Sequence, residues 1–311
     1  MKYPAATASA AAPVVNAMTV DVEEWFHICG VNGPLAPNHW DTLTSRVVDT
    51  TRVLLEDFDR AGTRATFFVL GWVADRYPAL VREIQAAGHE IGSHGHSHRL
   101  IYQQSQNEFR VETERSRRVL QDQSGQPVVG YRAASFSIGA RNMWALDVLA
   151  EAGFLYDSSI FPVVHDRYGV PGAPRQIHRL TTPAGGQLVE IPPSTLSLGP
   201  LTLPVAGGGY LRLTPLAVTR RIVAHLNRRE RIPAIVYVHP WEIDAPQPRI
   251  RGRWSNRFRH YHGLSRTETK LRVLLSEFRF GTLDAVIREA GFGPLSTGPA
   301  LVPGAVRLHP A

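Results

Sequence analysis

Apolar residues along this chain fall into two alternating patterns. Short, near-continuous apolar runs recur: AMTVDV (17–22), RATFFVLG (64–71), HEIGSH (89–94), VVGYRAA (128–134), LYDSS (155–159) and IPAIVYVHPWEI (232–243). Such runs are what parallel strands buried on both faces display. Between them lie stretches with apolar residues at helical spacing. TLTSRVVDTTRVLLEDFDR (42–60) is closed by Gly62, and in DRYPALVREIQAAG (75–88) Pro78 suits a helix start and Gly88 a C-terminal cap. Further helices are predicted over 110–125, 142–154, 213–230 and 282–292. Residues 168–209, rich in Pro and Gly, read as irregular connections or hairpins, and 244–265 also reads as irregular. Strand and helix alternate as in a parallel α/β barrel or an open α/β sheet.

Composition fits a folded globular domain of enzyme size: 311 residues, 43% apolar and 20% charged. The formal charge of +7 allows an acidic polymer or a membrane-surface contact. No nucleic-acid motif accompanies it, so no nucleic-acid partner is expected. The single cysteine, Cys29, excludes an internal disulfide and a Cys-based zinc cluster. Any metal must therefore be held by nitrogen and oxygen. Residues 1–17, an Ala-rich stretch broken by Pro4 and Pro13, read as a flexible leader, a poor match to a signal peptide or a membrane span. A cytoplasmic location is expected, with export as the alternative.

Parallel α/β folds carry their chemistry where the strand C-termini meet the loops. The polar outliers of this sequence sit there: Asp21, Glu23 and Glu24 after the first strand, His94 and His98 after HEIGSH, Arg132 in VVGYRAA, Asp157 in LYDSS and His239 after AIVYV. In GHEIGSHGHSHRL (88–100) four histidines crowd together. His94 and His98, four apart, can face one ion, with a carboxylate completing a hydrolytic zinc arrangement. His96 is expected to point away and His89 to be a cap or surface residue.

Five segments, TVDVEE (19–24), HEIGSHGHSH (89–98), YRAASF (131–136), YDSS (156–159) and VYVHP (236–240), resemble in order and spacing the motifs of the NodB-type polysaccharide deacetylases, carbohydrate esterase family 4. The resemblance covers roughly residues 18–243. DVEEWFH (21–27), GGGYLRLTP (207–215) and RHYHGL…LLSEFRF (259–280) look like marks of the subgroup associated with exosortase and exopolysaccharide loci, with its DUF3473-type C-terminal extension. The resemblance implies a distorted (β/α)7 barrel with irregular insertions over 18–243, an extension packed on it over 244–293, and a surface tail over 294–311.

It implies further a metal-dependent hydrolase that removes N-acetyl groups from N-acetylhexosamine units of an exopolysaccharide or its precursor. Asp21 would be the general base, oriented by Arg132. His94 and His98 would hold the metal, and Asp157 would tune His239, the general acid. Zn2+ is the expected ion, with Co2+ or Ni2+ as substitutes. Trp25, Tyr131 and Trp241 are expected to contact the glycan. No stable membrane insertion is expected, and the oligomeric state is not legible.

The family's usual first motif has two adjacent aspartates, whereas Val22 follows Asp21 here. Alternate residues of a strand share a face, so Glu23 is expected to be the third ligand, with Glu24 as the alternative. Such variants also occur in relatives that open cyclic amides or ureides. An allantoinase-like hydrolase, or a catalytically silent glycan-binding protein, is therefore the competing expectation. GGGY (207–210) lacks the lysine and setting of a P-loop and reads as a turn of close backbone approach.

Overall fold

A computed structural model describes residues 13–27, 35–165, 167–199, 201–205, 207–249 and 254–293. The first twelve residues of the expected leader, Cys29, residues 250–253 and the stretch from Pro294 lie outside them, while Asn16 and Ala17, expected in the leader, are instead the buried start of the first strand. The strands are β1 (Asn16–Val22), β2 (Thr66–Val69), β3 (Glu90–Ser93), β4 (Gly130–Tyr131), β5 (Tyr156–Asp157), β6 (His178–Thr181), β7 (Gln187–Glu190), β8 (Thr195–Leu198), β9 (Leu201–Pro204), β10 (Ile235–Val238) and β11 (Phe280–Gly281). The α-helices are α1 (Val47–Arg60), α2 (Gly71–Arg76), α3 (Pro78–Ala86), α4 (Gln106–Ser124), α5 (Trp144–Glu151), α6 (Gly208–Leu213), α7 (Leu216–His225), α8 (Trp254–Tyr261), α9 (Leu264–Glu277) and α10 (Leu283–Glu289).

Seven strands run parallel in the order β10-β1-β2-β3-β4-β5-β7, and β6 pairs antiparallel with β7 at the edge. The sheet curls so that Ser194, just past β7, reaches β10: its Oγ accepts the Ile235 N–H at 2.7 Å. This is a distorted (β/α)7 barrel. β1, flanked by β10 and β2, is buried along its whole length, as its apolar run requires. α10 packs under the barrel, burying Leu283, Val286 and Ile287 against Val15, Ala17 and Ile235. The buried carboxyl of Glu90 meets the first turn of α10, accepting the Asp284 N–H. Among the described residues no helix is long and apolar enough to cross a membrane.

Several boundaries moved for identifiable reasons. α1 begins at Val47 because Glu24 accepts the backbone N–H groups of Arg46 and Val47, capping the helix from another strand's end. α4 begins at Gln106 because Ser105 and Glu108 form a capping box, a Ser-x-x-Glu signal upstream of the predicted start. The stretch expected to be irregular over 244–265 contains α8 and leads into α9. The latter displays apolar positions 264, 271, 274 and 275 at helical spacing. Lys270 of α9 donates its ammonium to the carbonyls of Leu211, Arg212 and Thr214, satisfying the open C-terminal end of α6. The Pro/Gly-rich stretch forms the hairpins β6–β7 and β8–β9.

Candidate active site

Where β1, β3, β4 and β10 end, the structure opens a cleft of about 340 Å³ whose floor includes Asp21, Glu23, His94, His98 and His239. β1 delivers Asp21 and, just past its end, Glu23. Both face the cleft, while Glu24 turns the other way to cap α1. The alternation of a strand thus selects Glu23 over Glu24.

One ligand atom each from Glu23, His94 and His98 lies within 4.8 Å of the others. Burial lowers the pKa of His94 to about 4, against the opposing pull of Asp21, so its ring is neutral at pH 7. His94 Nδ1 donates to the Arg132 carbonyl at 2.9 Å, which fixes the tautomer and leaves Nε2 as a lone pair. Burial alone would raise the Glu23 carboxyl, but His98, His239 and His94 hold it well below the ordinary range. Glu23 Oε2 is buried, 2.5 Å from His98 Nε2 and 3.9 Å from His94 Nε2. A buried anionic oxygen facing two imidazole nitrogens is a donor set that a divalent cation satisfies. The residues present fit a metal.

Asp21 Oδ1 accepts from Arg132 Nη1 at 2.8 Å. Arg132 is fully buried, with further bonds from Nη1 to Thr19 Oγ1 and from Nη2 to Ser158 Oγ, and it lies 4.3 Å over the Phe68 ring. A buried carboxylate is stable only when paired in this way, and the fork leaves Oδ2 toward the cleft, 3.9 Å from His239 Nε2. Ser158 is thereby a structural support of Arg132.

Asp157 was expected to tune His239, but it does not reach it. Its oxygens accept the Ser159 hydroxyl at 2.6 Å and the Ser159 N–H at 3.2 Å, beside Glu190. The group against His239 is Glu242, whose Oε2 accepts from Nδ1 at 2.9 Å and from the His239 N–H at 3.0 Å. Arg212 Nε completes the chain with a bond of 2.6 Å to Glu242 Oε1. Burial would lower the His239 pKa, but Glu242 above all, with Glu23 and Asp21, raises it to about 9. A carboxylate three residues after a His-Pro step, at the third position of a helical turn, was a readable signal for this partner.

The three expected glycan contacts divide. Trp241 lines the cleft, stacks on His239 with ring centroids 5.0 Å apart, and donates Nε1–H to Glu23 Oε1 at 3.0 Å. Trp25 is instead buried with Phe26, Leu35 and Trp40, its indole N–H spent on the Thr44 carbonyl. Tyr131 is buried in the core between Phe109 and Phe154 because its side chain leaves β4 on the face away from the cleft. His96 does point away, bonding Asp75 at 3.0 Å. His89 is neither a cap nor exposed: it is buried against Phe58 and Phe67 and accepts the Ala65 N–H. Residues the sequence did not single out, Phe136, Tyr168, Tyr210 and Arg212, complete the walls.

Gly207 bridges to Tyr237, two residues before His239, and a Cβ there would lie 2.3 Å from the Tyr237 carbonyl oxygen. Gly207→Ala is expected to cost about 1–3 kcal/mol through overpacking, read as a lowered melting temperature. Burial raises the Asp157 pKa from 3.8 to about 6, against the bonds from Ser159. Between those values the folded state holds a proton that the unfolded chain has released, so stability falls as pH rises through that window. Asp157→Asn is expected to flatten this dependence in denaturant melts taken from pH 4 to pH 6.5; an unchanged slope would count against the assignment.

Residues 39–156 match the family "Polysaccharide deacetylase", and residues 158–288 match "Domain of unknown function (DUF3473)". A peptidoglycan-N-acetylglucosamine deacetylase of Bacillus cereus is 30% identical over 78 residues, 25% of this chain and 28% of that relative's length. The fold is also that of a candidate polysaccharide deacetylase from Mycobacterium smegmatis, with TM-score 0.57 and 22% identity over 96% of this chain and 99% of that one. An allantoinase gives TM-score 0.58 at 14% identity, covering 91% of this chain and 92% of the other. Fold and site together define a NodB-type α/β barrel with a candidate metal centre. The chain carries a polysaccharide deacetylase domain over residues 39–156, followed by a DUF3473 domain over 158–288. The boundary between the two matches falls just past β5, so the DUF3473 portion supplies β10 and His239 to the same barrel.

Proposed function

We propose that this protein is a metal-dependent hydrolase that removes N-acetyl groups from N-acetylhexosamine units of an exopolysaccharide or its precursor. The observation that carries this reading is the meeting, on one cleft floor, of the Glu23–His94–His98 group with the Asp21–Arg132 and His239–Glu242 pairs. A divalent ion bound there, zinc by the chemistry of its donors, supplies a Lewis acid for the amide carbonyl. Asp21, held by Arg132, accepts the proton of the attacking water. His239, protonated at neutral pH, gives a proton to the leaving amine. Trp241, stacked with His239 and His260, lines the cleft where a sugar ring would lie. An open cleft, rather than a closed pocket, accommodates a polymer.

The test is acetate release from N-acetylglucosamine oligomers, before and after chelation. Loss of release on chelation and its return with added zinc are expected. No release under any metal, with hydrolysis of allantoin instead, would replace this reading by a cyclic-ureide hydrolase. No turnover of either substrate, with glycan binding retained, would make the protein a silent binder.

A further inference from the structure

The hairpin β8–β9 stands apart from the main sheet, and its register puts four leucines on one face. Leu196 lies opposite Leu203, and Leu198 opposite Leu201. Directly opposed residues and their second neighbours along a strand share a side, so this face is wholly apolar. It is also uncovered: Leu198 is 54% exposed, Leu201 62% and Leu203 41%. Apolar surface left in water is unfavourable, and on a hairpin tip nothing in the fold requires it.

The surroundings of the hairpin are cationic. Arg175 bonds the carbonyl and hydroxyl of Thr195 at its base and pairs with Glu230, which brings the end of the α7 segment alongside. That end carries Arg228, Arg229 and Arg231, and Arg221 lies earlier on α7. All four are exposed, and none forms an ion pair with a carboxylate among the described residues. Exposed leucines, with a segment bearing unpaired arginines joined to their hairpin's base, are the composition of an element that sits at the interface of an anionic bilayer. A second copy of the chain fits less well, because joining two such faces would bring two arginine clusters together.

We propose that the β8–β9 hairpin docks this protein on anionic lipid surfaces, its leucines entering the headgroup boundary and the neighbouring arginines facing the lipid phosphates. This is shallow, reversible attachment and needs no spanning helix. Past β9 the chain runs into Gly208 and Tyr210 of the cleft wall, so a docked hairpin holds the cleft beside the membrane. The proposal stands independently of the hydrolytic reading.

The test is co-sedimentation of the full chain with vesicles of phosphatidylcholine alone and of phosphatidylcholine mixed with phosphatidylglycerol. Binding is expected only to the mixed vesicles, weakening as salt rises. Leu198→Ser/Leu201→Ser is expected to lose about a hundredfold in affinity, since each leucine contributes about as much as a tenfold change. Both sites are exposed, so an unchanged melting temperature is expected for this variant. Arg228→Glu/Arg229→Glu is expected to lose the preference for phosphatidylglycerol. Failure of the wild-type chain to bind the mixed vesicles, or undiminished binding by the leucine variant, would overturn the proposal. So would a leucine variant that turns a dimer into a monomer in the ultracentrifuge with vesicle binding intact, which would assign the face to a second copy.

Discussion

Alanine at His94 or at His98 is expected to strip the protein of its metal and to lower kcat/KM by roughly a thousandfold or more, the loss of a Lewis acid worth several kcal/mol in the transition state. Both rings are nearly inaccessible, with side chains 2% and 5% exposed. Losing one imidazole leaves a two-ligand site, and no other His or carboxylate joins the cluster among the described residues. His96→Ala is the control. Its ring is engaged with Asp75 and faces away from the cleft, so metal content is expected to stay near one ion per chain. Inductively coupled plasma mass spectrometry of the purified variants, with circular dichroism to establish folding, decides the matter. A His94→Ala/His98→Ala variant that kept stoichiometric metal would sink the assignment.

Glu242→Gln is expected to move the alkaline limb of the kcat/KM profile to lower pH by about one to two units, a loss of roughly ten- to a hundredfold on the alkaline side of neutrality. The sign follows from the role. As the proposed acid His239 would act in its protonated form, which its pKa of about 9 keeps populated through neutral pH, so activity is expected to fall as pH rises through the limb. A bound cation offsets the charge of Glu23, so the limb of the loaded enzyme lies below about 9 and rests mainly on Glu242. Removing that carboxylate lets burial pull the imidazole back down. The substitution also takes the anion from Arg212, whose side chain is 3% exposed, and breaking a buried pair costs about 3–5 kcal/mol. A merely structural loss would lower activity at every pH, whereas a shifted limb identifies the partner of the acid. Should Asp157→Asn move the limb and Glu242→Gln leave it, the roles of the two carboxyls would be exchanged.

The contrast between these carboxyls shows where reading the chain stops. Asp157 stands in a motif whose family role is to serve the acid, and its position at a strand end agreed with that role. Its side chain is nonetheless taken up by Ser159 and Glu190, while the acid turns to a neighbour three residues away. Trp25 and Tyr131 failed for a related reason. Sequence proximity to Glu23 and Arg132 says nothing about which side of the backbone an aromatic ring leaves from, and both rings were claimed by cores.

The alternation of strands and helices, the strand-end placement of Asp21, His94, Arg132 and His239, and the choice of Glu23 over Glu24 were all determined by the sequence itself. Each rests on local rules, the periods of strand and helix and the alternation of faces, which operate within a few residues. Only the tertiary structure decided that Glu242 is held between His239 and Arg212, and that four leucines share one face of a hairpin. Those outcomes depend on strand register and helix packing, where burial and charge pairing between distant segments select one arrangement from many that the local pattern permits.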